Sequence, residues 1–255
     1  MIGAICGDIV GSVYEFNNLK SKEFDFFAPD AAFTDDSVLT LATMDVLLNG
    51  KNYAETYKDW FEKYPDSGYG GGFLKWGLSD SLEPYNSWGN GSAMRVSPVG
   101  CWYKTMEETR KAAAASARVT HNHPEGIKGA EATAAAIFLA RTGSEKADIK
   151  KYVEEQFEYD LTETVDSIRS WYRFDESCQG TVPQAIICFL EASNFEDAIR
   201  NAISVGGDSD TLACITGGIA EAFFGVPVKI INETLKRLPK EMENIVREFY
   251  MNLEK

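Results

Sequence analysis

Residues 208–224 read Asp-Ser-Asp-Thr-Leu-Ala-Cys-Ile-Thr-Gly-Gly-Ile-Ala-Glu-Ala-Phe-Phe, and Gly225 follows them. Two carboxylates and two hydroxyl residues stand before an apolar run. This is typical of a helix N-terminus, because side-chain oxygens there accept hydrogen bonds from free backbone N–H groups. Glycine is a common residue just past a helix end. The stretch therefore predicts a helix over 208–224 with an acidic start.

Helical periodicity extends along most of the chain. Residues 35–48 place apolar side chains at three- and four-residue spacings, and Asn49-Gly50 follows as a stop. Proline favours the first turn of a helix, which predicts a helix that opens at Pro183. The pattern also predicts a helix after the capping residue Asn194, one that begins near Pro227 and one that begins near Pro239. The remaining predicted helices are Glu107–Ala117, Gly126–Ala140, Lys146–Phe157 and Pro183–Ala192.

Strand patterns are few, since apolar and polar residues alternate only briefly and Asn90-Gly91 is not flanked by alternating runs. We therefore predict an all-α fold with a single domain over residues 1–255. Two irregular loops are expected, over Asn17–Phe33 and Asp66–Ser97. The second is rich in glycine and tryptophan, and a loop of that length in a compact domain is more often functional than not.

The composition excludes some classes of partner. The chain has 255 residues, a formal net charge of −14 and 44% hydrophobic residues, so a broad basic surface for bare nucleic acid or an anionic membrane is not expected. Five widely spaced cysteines predict free thiols in a reducing compartment. The apolar start, Met1–Val13, lacks a basic leader and contains Asp8, and no apolar run approaches the ~18 residues of a membrane span. We expect a cytoplasmic protein.

Two acidic segments are candidates for chemistry. Thr34-Asp35-Asp36 and Asp208–Thr211 each precede a predicted helix, and for either segment alone helix capping is the simpler interpretation. One cap needs only one oxygen, however. A second carboxylate beside it is explained if the other oxygens face a hard cation.

If the fold brings these segments together, four carboxylates and two threonine oxygens meet in one place. That much buried negative charge requires a cation. Oxygen ligands suit Mg²⁺ or Mn²⁺, and the absence of paired cysteine or histidine ligands argues against zinc. The separation of the two segments along the chain leaves their meeting open.

Three further features are candidates for ligand contact. The segment Ser87–Arg95 is rich in small residues, and its glycines either form ordinary turns or let backbone N–H groups approach a phosphate. His121 and His123 are the only histidines, and we favour ligand contact or capping of a helix near Pro124 over metal binding. Glu15 ends the first helical pattern and by itself resembles a surface glutamate.

Five segments occur in one order across nearly the entire chain: Gly7-Asp-Ile-Val-Gly-Ser-Val-Tyr-Glu-Phe, Phe33-Thr-Asp-Asp-Ser, Gly89-Asn-Gly-Ser-Ala-Met-Arg, Thr120-His and Gly206-Gly-Asp-Ser-Asp-Thr. Together they resemble the ADP-ribosylglycohydrolase family, the group that includes dinitrogenase reductase-activating glycohydrolase. The resemblance implies a compact, orthogonal helical bundle and a binuclear Mg²⁺ or Mn²⁺ centre. Ser37 stands where that family usually has threonine, so the hydroxyl is kept but the metal preference could differ.

The resemblance also implies roles for individual residues. Glu15 would match the family's mobile glutamate, and Glu15, Asp35 and Asp36 are the catalytic candidates. The implied metal ligands are Thr34, Asp35, Asp36, Asp208, Asp210 and Thr211. The implied ligand-binding residues, which would hold the ADP-ribose phosphates and ribose, are Gly89, Asn90, Gly91, Ser92, Ala93, Met94 and His121.

The expected reaction is hydrolysis at C1 of the distal ribose of an ADP-ribosylated protein or a small ADP-ribosyl conjugate. Two ions would position the sugar and activate water, Asp35 or Asp36 would accept a proton, and Glu15 would assist the leaving group. The acidic composition slightly favours arginine as the acceptor. Two alternatives stay open: a metal-dependent hydrolase of nucleotide pyrophosphates or phosphate esters, and a non-catalytic ADP-ribose-binding module.

Overall fold

The computed structural model describes residues 1–253, and within them the chain forms helices and no strands. The expected all-α class is confirmed, while the single-domain extent over residues 1–255 stays a prediction. The helices are α1 (Ile2–Gly11), α2 (Asp35–Asn49), α3 (Tyr53–Lys63), α4 (Gly71–Gly77), α5 (Gly91–Met94), α6 (Ser97–Trp102), α7 (Met106–Arg118), α8 (Pro124–Arg141), α9 (Lys146–Phe157), α10 (Val165–Trp171), α11 (Cys178–Glu191), α12 (Phe195–Val205), α13 (Ser209–Phe224), α14 (Val228–Leu235) and α15 (Lys240–Leu253). No helix of the described part of the chain is both long and apolar enough to cross a membrane.

Two helices packed against each other form the centre of the core. All ten residues of α1 are buried, as are the first twelve of α13, Ser209–Ala220. A helix that is apolar on every face must be surrounded by other elements. In α13 those elements include α1, α8, α11 and α12.

Glycines allow α1 and α13 to approach closely. A Cβ atom added at Gly3 would lie 2.4 Å from the carbonyl oxygen of Gly217, and one at Gly7 would lie 2.0 Å from that of Ala213. One at Gly11 would lie 2.5 Å from the Cα of Asp210. Residues four apart share a helix face, so α1 presents a glycine row to α13 and reaches the acidic first turn of α13 at its last glycine.

Most predicted helices are confirmed, with boundaries that shift by a few residues. The predicted stop at Gly225 is confirmed, with a φ of 72°. Asn194 caps α12 by accepting a hydrogen bond from the backbone N–H of Asp197 at 3.0 Å. The 17–33 segment has no helix, as expected, and Asn18 fixes it to the turn before α13 through bonds to the N–H (2.7 Å) and carbonyl (3.0 Å) of Gly207.

Two predicted boundaries were wrong. Helix α11 begins at Cys178, five residues before Pro183, because Ser177 caps it by accepting from the N–H of Gly180 at 3.0 Å. Pro183 lacks an N–H and so leaves the carbonyl of Gln179 without its helical hydrogen bond. The predicted loop 66–97 contains α4 and α5 and meets α6 at Ser97; burial of Phe73 and Trp76 stabilises α4 despite its glycines.

Substitution Gly7→Ala tests the contact between α1 and α13. The added methyl group overlaps the Ala213 carbonyl, so the free energy of unfolding should fall by about 1–3 kcal/mol or more. The matched control is Gly71→Ala, where a Cβ meets nothing within 4 Å and the change should stay within about 0.5 kcal/mol or be slightly stabilising. Urea unfolding measures both, and equal stabilities of the two variants would contradict the packing.

Candidate active site

The two acidic segments, separated by most of the chain, meet at one cleft. Helix α2 begins beside the start of α13, and the hydroxyl of Thr211 donates a hydrogen bond to Oδ2 of Asp36 at 3.2 Å. All six residues that the resemblance implied as metal ligands line this cleft: Thr34, Asp35, Asp36, Asp208, Asp210 and Thr211. The convergence that the sequence left open therefore occurs.

The carboxylates fall into two groups of three. Oxygen atoms of Asp8, Asp36 and Asp210 lie within 4.8 Å of one another, and so do oxygen atoms of Glu15, Asp208 and Asp210. Asp210 belongs to both groups. The arrangement places two neighbouring clusters of oxygen donors around one shared carboxylate.

Asp8 was not among the predicted site residues. It is fully buried on α1, and its Oδ2 accepts from the N–H groups of Thr34 (2.9 Å) and Ser37 (3.1 Å) and from the Ser37 hydroxyl. Its Oδ1 accepts from the Thr34 hydroxyl at 2.6 Å. Asp8 therefore joins α1 to the start of α2, and a lone carboxylate inside an apolar helix was the available sign of such a role.

The hydroxyl groups of Ser37 and Thr34 both donate hydrogen bonds to Asp8. The Ser37 side chain is fully buried beside Asp8, so it stabilises the position of α2 and does not face the cleft. The exchange of threonine for serine at this position changes none of the oxygen donors that line the cleft.

Asn90 positions Asp208. Its side-chain amide donates to Oδ2 of Asp208 at 2.7 Å and to the hydroxyl of Thr181 at 3.1 Å. Its backbone N–H donates to the carbonyl of Glu176 at 2.7 Å, next to an isolated bridge between Gly89 and Ser177. The segment Ser87–Arg95, called the glycine-rich loop below, is thus attached both to the start of α11 and to the acidic cluster.

Burial and mutual repulsion favour the protonated forms of these carboxyls. Burial is the main cause that raises the pKa values of Asp35, Asp36 and Asp210 well above their usual range. The negative charge of Asp210 raises the pKa values of Asp35 and Asp36 further, and the charge of Asp208 does the same for Asp210. Burial raises the pKa of Asp208 to about 6, although its hydrogen bonds oppose the rise. Burial, with the charges of Asp210 and Glu176, raises the pKa of the half-buried Glu15 to about 8.

The donor set fits a divalent cation. Oδ1 of Asp36 is buried and has no hydrogen-bond partner among the described residues, and an ionised oxygen in that position needs a positive partner. Both groups offer only oxygen atoms, which are the ligands that Mg²⁺ and Mn²⁺ prefer. The acidic clusters can therefore hold metal ions.

The predicted ligand-binding residues are only partly at the cleft. Gly89, Asn90, Gly91, Met94 and His121 line it, as does Glu15. Ser92 and Ala93 do not: both are fully buried, and the Ser92 hydroxyl donates to the carbonyl of Gly126 at 2.7 Å. Their side chains support the loop from behind.

The two histidines have different positions. His123 caps α8, as expected, by accepting from the N–H of Glu125 at 3.1 Å. His121 is 4% exposed, lines the cleft and lies 2.7 Å from the Thr120 hydroxyl through Nδ1. Burial, and next the charge of Arg95, hold its pKa well below its usual range.

Other cleft residues were not predicted from the sequence. Tyr85, Arg95 and Glu176 line it, as does the segment 70–73. Arg95 ends the Gly89–Arg95 motif but is fully buried, with its guanidinium 4.3 Å from the centre of the Tyr57 ring. In the sequence, only the position of Arg95 in that motif pointed to the cleft. No local pattern around Tyr85 or Glu176 indicated a functional residue.

A family model described as ADP-ribosylglycohydrolase matches residues 1–255. The chain belongs to the ADP-ribosylglycohydrolase family. The resemblance based on the five segments is confirmed. Membership makes the chain a hydrolase that acts on ADP-ribosyl conjugates, as expected.

Similarity to curated proteins extends over most of the chain. This chain is 29% identical to ADP-ribosylhydrolase ARH3 of Mus musculus, over 89% of this chain and 83% of that protein. It is 28% identical to ARH3 of Homo sapiens, over 89% of this chain and 84% of that protein. It is 26% identical to a putative ADP-ribosyl glycohydrolase, L543, of Acanthamoeba polyphaga mimivirus, covering 88% and 85%.

A solved structure, described as an ADP-ribosylglycohydrolase-related protein complex, shares the fold. It superposes with a TM-score of 0.71 at 22% identity and covers 98% of this chain and 96% of that one. At this identity the likeness concerns the fold alone, and it confirms the expected helical bundle.

The raised carboxyl pKa values predict how stability depends on pH and on metal. A group whose pKa is higher in the folded protein favours folding at low pH, and this contribution is lost as pH rises through the folded pKa. For Asp208 (about 6) and Glu15 (about 8), the loss begins near the ordinary carboxyl pKa of about 4 and is complete near pH 8. In EDTA, Tm should therefore decrease over that interval, and saturating Mg²⁺ should reduce the decrease because bound cation stabilises the ionised carboxylates.

The measurement is Tm against pH with and without Mg²⁺, with Ca²⁺-free buffers of constant ionic strength. Asp208→Asn removes one titrating group and should flatten the EDTA profile. Parallel profiles with and without Mg²⁺ would count against a cation site at the cluster.

Proposed function

We propose that this chain is a divalent-metal-dependent ADP-ribosylglycohydrolase that frees ADP-ribose from an acceptor side chain by hydrolysing the bond at C1 of the distal ribose. The observation that carries the proposal is the pair of carboxylate groups that share Asp210, next to a glycine-rich loop that lines the same cleft. Family membership supports the reaction class.

The ligands are assigned by position. Asp36 and Asp210 contribute to one site, and Asp208 and Asp210 to the other, with the hydroxyls of Thr34 and Thr211 beside them. Bound Mg²⁺ or Mn²⁺ would supply Lewis acidity towards ribose hydroxyls and water. Asp8 has a different role in this assignment, since its oxygens already accept four hydrogen bonds from the start of α2.

Two carboxylates are placed for proton transfer. Asp35 lies outside both three-carboxylate groups and lines the cleft, so it is better placed than Asp36 to accept the proton of the attacking water. Glu15 is half-buried at the mouth, and its raised pKa suits a group that exchanges a proton with the leaving group near neutral pH.

The glycine-rich loop is the proposed binding site of the ADP-ribose diphosphate. Gly89 and Gly91 expose backbone to the cleft, and a Cβ atom at Gly91 would lie 3.2 Å from Nε2 of His121. The N–H of Gly89 donates to the Ser87 hydroxyl and that of Asn90 to the Glu176 carbonyl. A ligand can therefore approach the backbone at Gly91, the first residue of α5, where no side chain projects. This arrangement binds an anion in a chain whose net charge is −14.

The cleft mouth favours a cationic acceptor, for which arginine is the proposed residue. Phe16 is 81% exposed and stacks on Phe174, with ring centroids 6.3 Å apart. Each lies close in sequence to a carboxylate that lines the cleft: Glu15 and Glu176. Exposed aromatic faces and carboxylates together attract a guanidinium group.

Release of ADP-ribose from an arginine-linked ADP-ribosylated protein tests the reaction. Wild type should release it with Mg²⁺ or Mn²⁺ and not in EDTA. Asp208→Ala should lower kcat/KM on the order of 100-fold or more, while the surface control Asp148→Ala should match wild type.

The products separate this reaction from its alternatives. AMP or phosphate in place of free ADP-ribose would identify a pyrophosphate or phosphoester hydrolase. Binding of ADP-ribose without turnover of any conjugate would identify a binding module.

Acceptor choice is tested with Glu176→Gln and Phe174→Ala on defined arginine-linked and serine-linked conjugates. Phe174 is exposed and outside the clustered carboxylates, so Phe174→Ala should lower kcat/KM for the arginine conjugate by about fivefold and leave the serine conjugate unchanged. Glu176→Gln also removes a charge that raises the pKa of Glu15, so it should slow the arginine conjugate more than the serine conjugate. A wild type that prefers serine conjugates, or variants that slow both conjugates equally, would overturn the assignment of arginine.

A further inference from the structure

A fully buried arginine lies behind the cleft histidine. Arg95 donates from Nη2 to the carbonyl of Ser116 at 2.9 Å and to the hydroxyl of Thr120 at 2.7 Å. Its Nε and Nη1 have no hydrogen-bond partner among the described residues. No carboxylate within residues 1–253 forms an ion pair with it; the charge is instead stacked on Tyr57.

The chemistry of arginine fixes the direction of the next hydrogen bond. A guanidinium group has donors and no acceptor, so the Thr120 hydroxyl must accept from Arg95. That hydroxyl is fully buried, and its other partner in the described chain is Nδ1 of His121, at 2.7 Å. Its single proton is satisfied only if it points at Nδ1, because leaving a buried hydroxyl proton without an acceptor costs free energy.

The direction of that bond determines the form of the imidazole. An Nδ1 that accepts a hydrogen bond carries no proton, so a neutral ring carries its proton on Nε2. Burial and the nearby positive charge both disfavour a second proton on the ring. Nε2 has no hydrogen-bond partner among the described residues, and it lies on the side of Gly91 and Gly89, where added Cβ atoms would be 3.2 and 3.6 Å away.

We propose that Arg95 and Thr120 are positioning residues that hold His121 in the Nε2–H form, so that it donates a hydrogen bond into the cleft beside the glycine-rich loop. This inference rests on the proposed function in one respect: the acceptor of the bond is an oxygen of the diphosphate. Because the donor is a neutral N–H group, it binds an anion close to the carboxylates without adding a charge that would pair with them.

The chain makes the tautomer directly measurable, since His121 and His123 are its only histidines. Nitrogen-15 histidine labelling and long-range proton–nitrogen correlation report which ring nitrogen carries the proton, and His123→Gln assigns the two signals. We expect wild-type His121 without ligand to show a protonated Nε2 and an unprotonated Nδ1. A protonated Nδ1, or a ring charged near neutral pH, would overturn the proposal.

The variants Thr120→Val and Thr120→Ser test the positioning role. Valine keeps the shape but removes the hydroxyl, so the His121 signals should move towards a mixture of tautomers. Serine keeps the hydroxyl and should restore the wild-type pattern. If the valine variant shows wild-type His121 signals, the hydroxyl does not fix the tautomer and the proposal is wrong.

Calorimetric titration with ADP-ribose in Mg²⁺ tests the ligand contact. Thr120→Val should raise Kd about tenfold, the size expected for one hydrogen bond to a charged group, and should raise KM more than it lowers kcat. Thr120→Ser should bind as wild type does. Unchanged affinity in the valine variant would refute the contact, whereas wild type that fails to bind ADP-ribose at all would refute the proposed function and leave the tautomer to be judged by its spectrum.

Discussion

Repulsion between carboxylates at the starts of two buried helices is the constraint that organises this molecule. Asp36 and Asp210 come together from opposite ends of the chain, and burial and neighbouring charges raise the pKa values of both. Such a cluster persists only where the remainder of the fold is stable enough to offset its cost. Backbone N–H groups at helix starts and the amide of Asn90 lower that cost, and a cation would remove most of it.

The close packing of α1 on α13 holds the cluster in place. Its glycine row ends at Gly11, against the first turn of α13, while Asp8 on the same helix accepts four hydrogen bonds from the start of α2. One helix thus fixes two others by different means, by the absence of side chains along one face and by a single carboxylate on another. A shift of α1 would move both acidic segments together.

The sequence predicted features that depend on neighbouring residues and missed those that depend on distant ones. The cap of α12, the stop of α13 at Gly225 and the paired carboxylates are local patterns, so they were found, whereas Asp208 at the start of α13 accepts no capping hydrogen bond. The start of α11 was predicted at Pro183, whereas the cap at Ser177 begins the helix at Cys178. The glycines of α4 disfavour a helix, and the burial of Phe73 and Trp76 that stabilises it depends on packing with distant residues. The meeting of Asp36 with Asp210, and the presence of Glu176 and Tyr85 at the cleft, follow from packing that no short pattern encodes.

The buried carboxylates of the cleft and the exposed residues near it differ in how well they tolerate substitution. Its floor is built from helix starts that are tied to the core, so a substitution at Asp208 or Asp210 disturbs charge balance and packing together. Phe16 and Phe174, close in sequence to the cleft carboxylates Glu15 and Glu176, lie between helices and are exposed to solvent. Changes there cost little stability. Exposed residues of this kind can change while the buried acidic cluster stays the same, so family membership establishes a hydrolase of ADP-ribosyl conjugates and does not fix the acceptor.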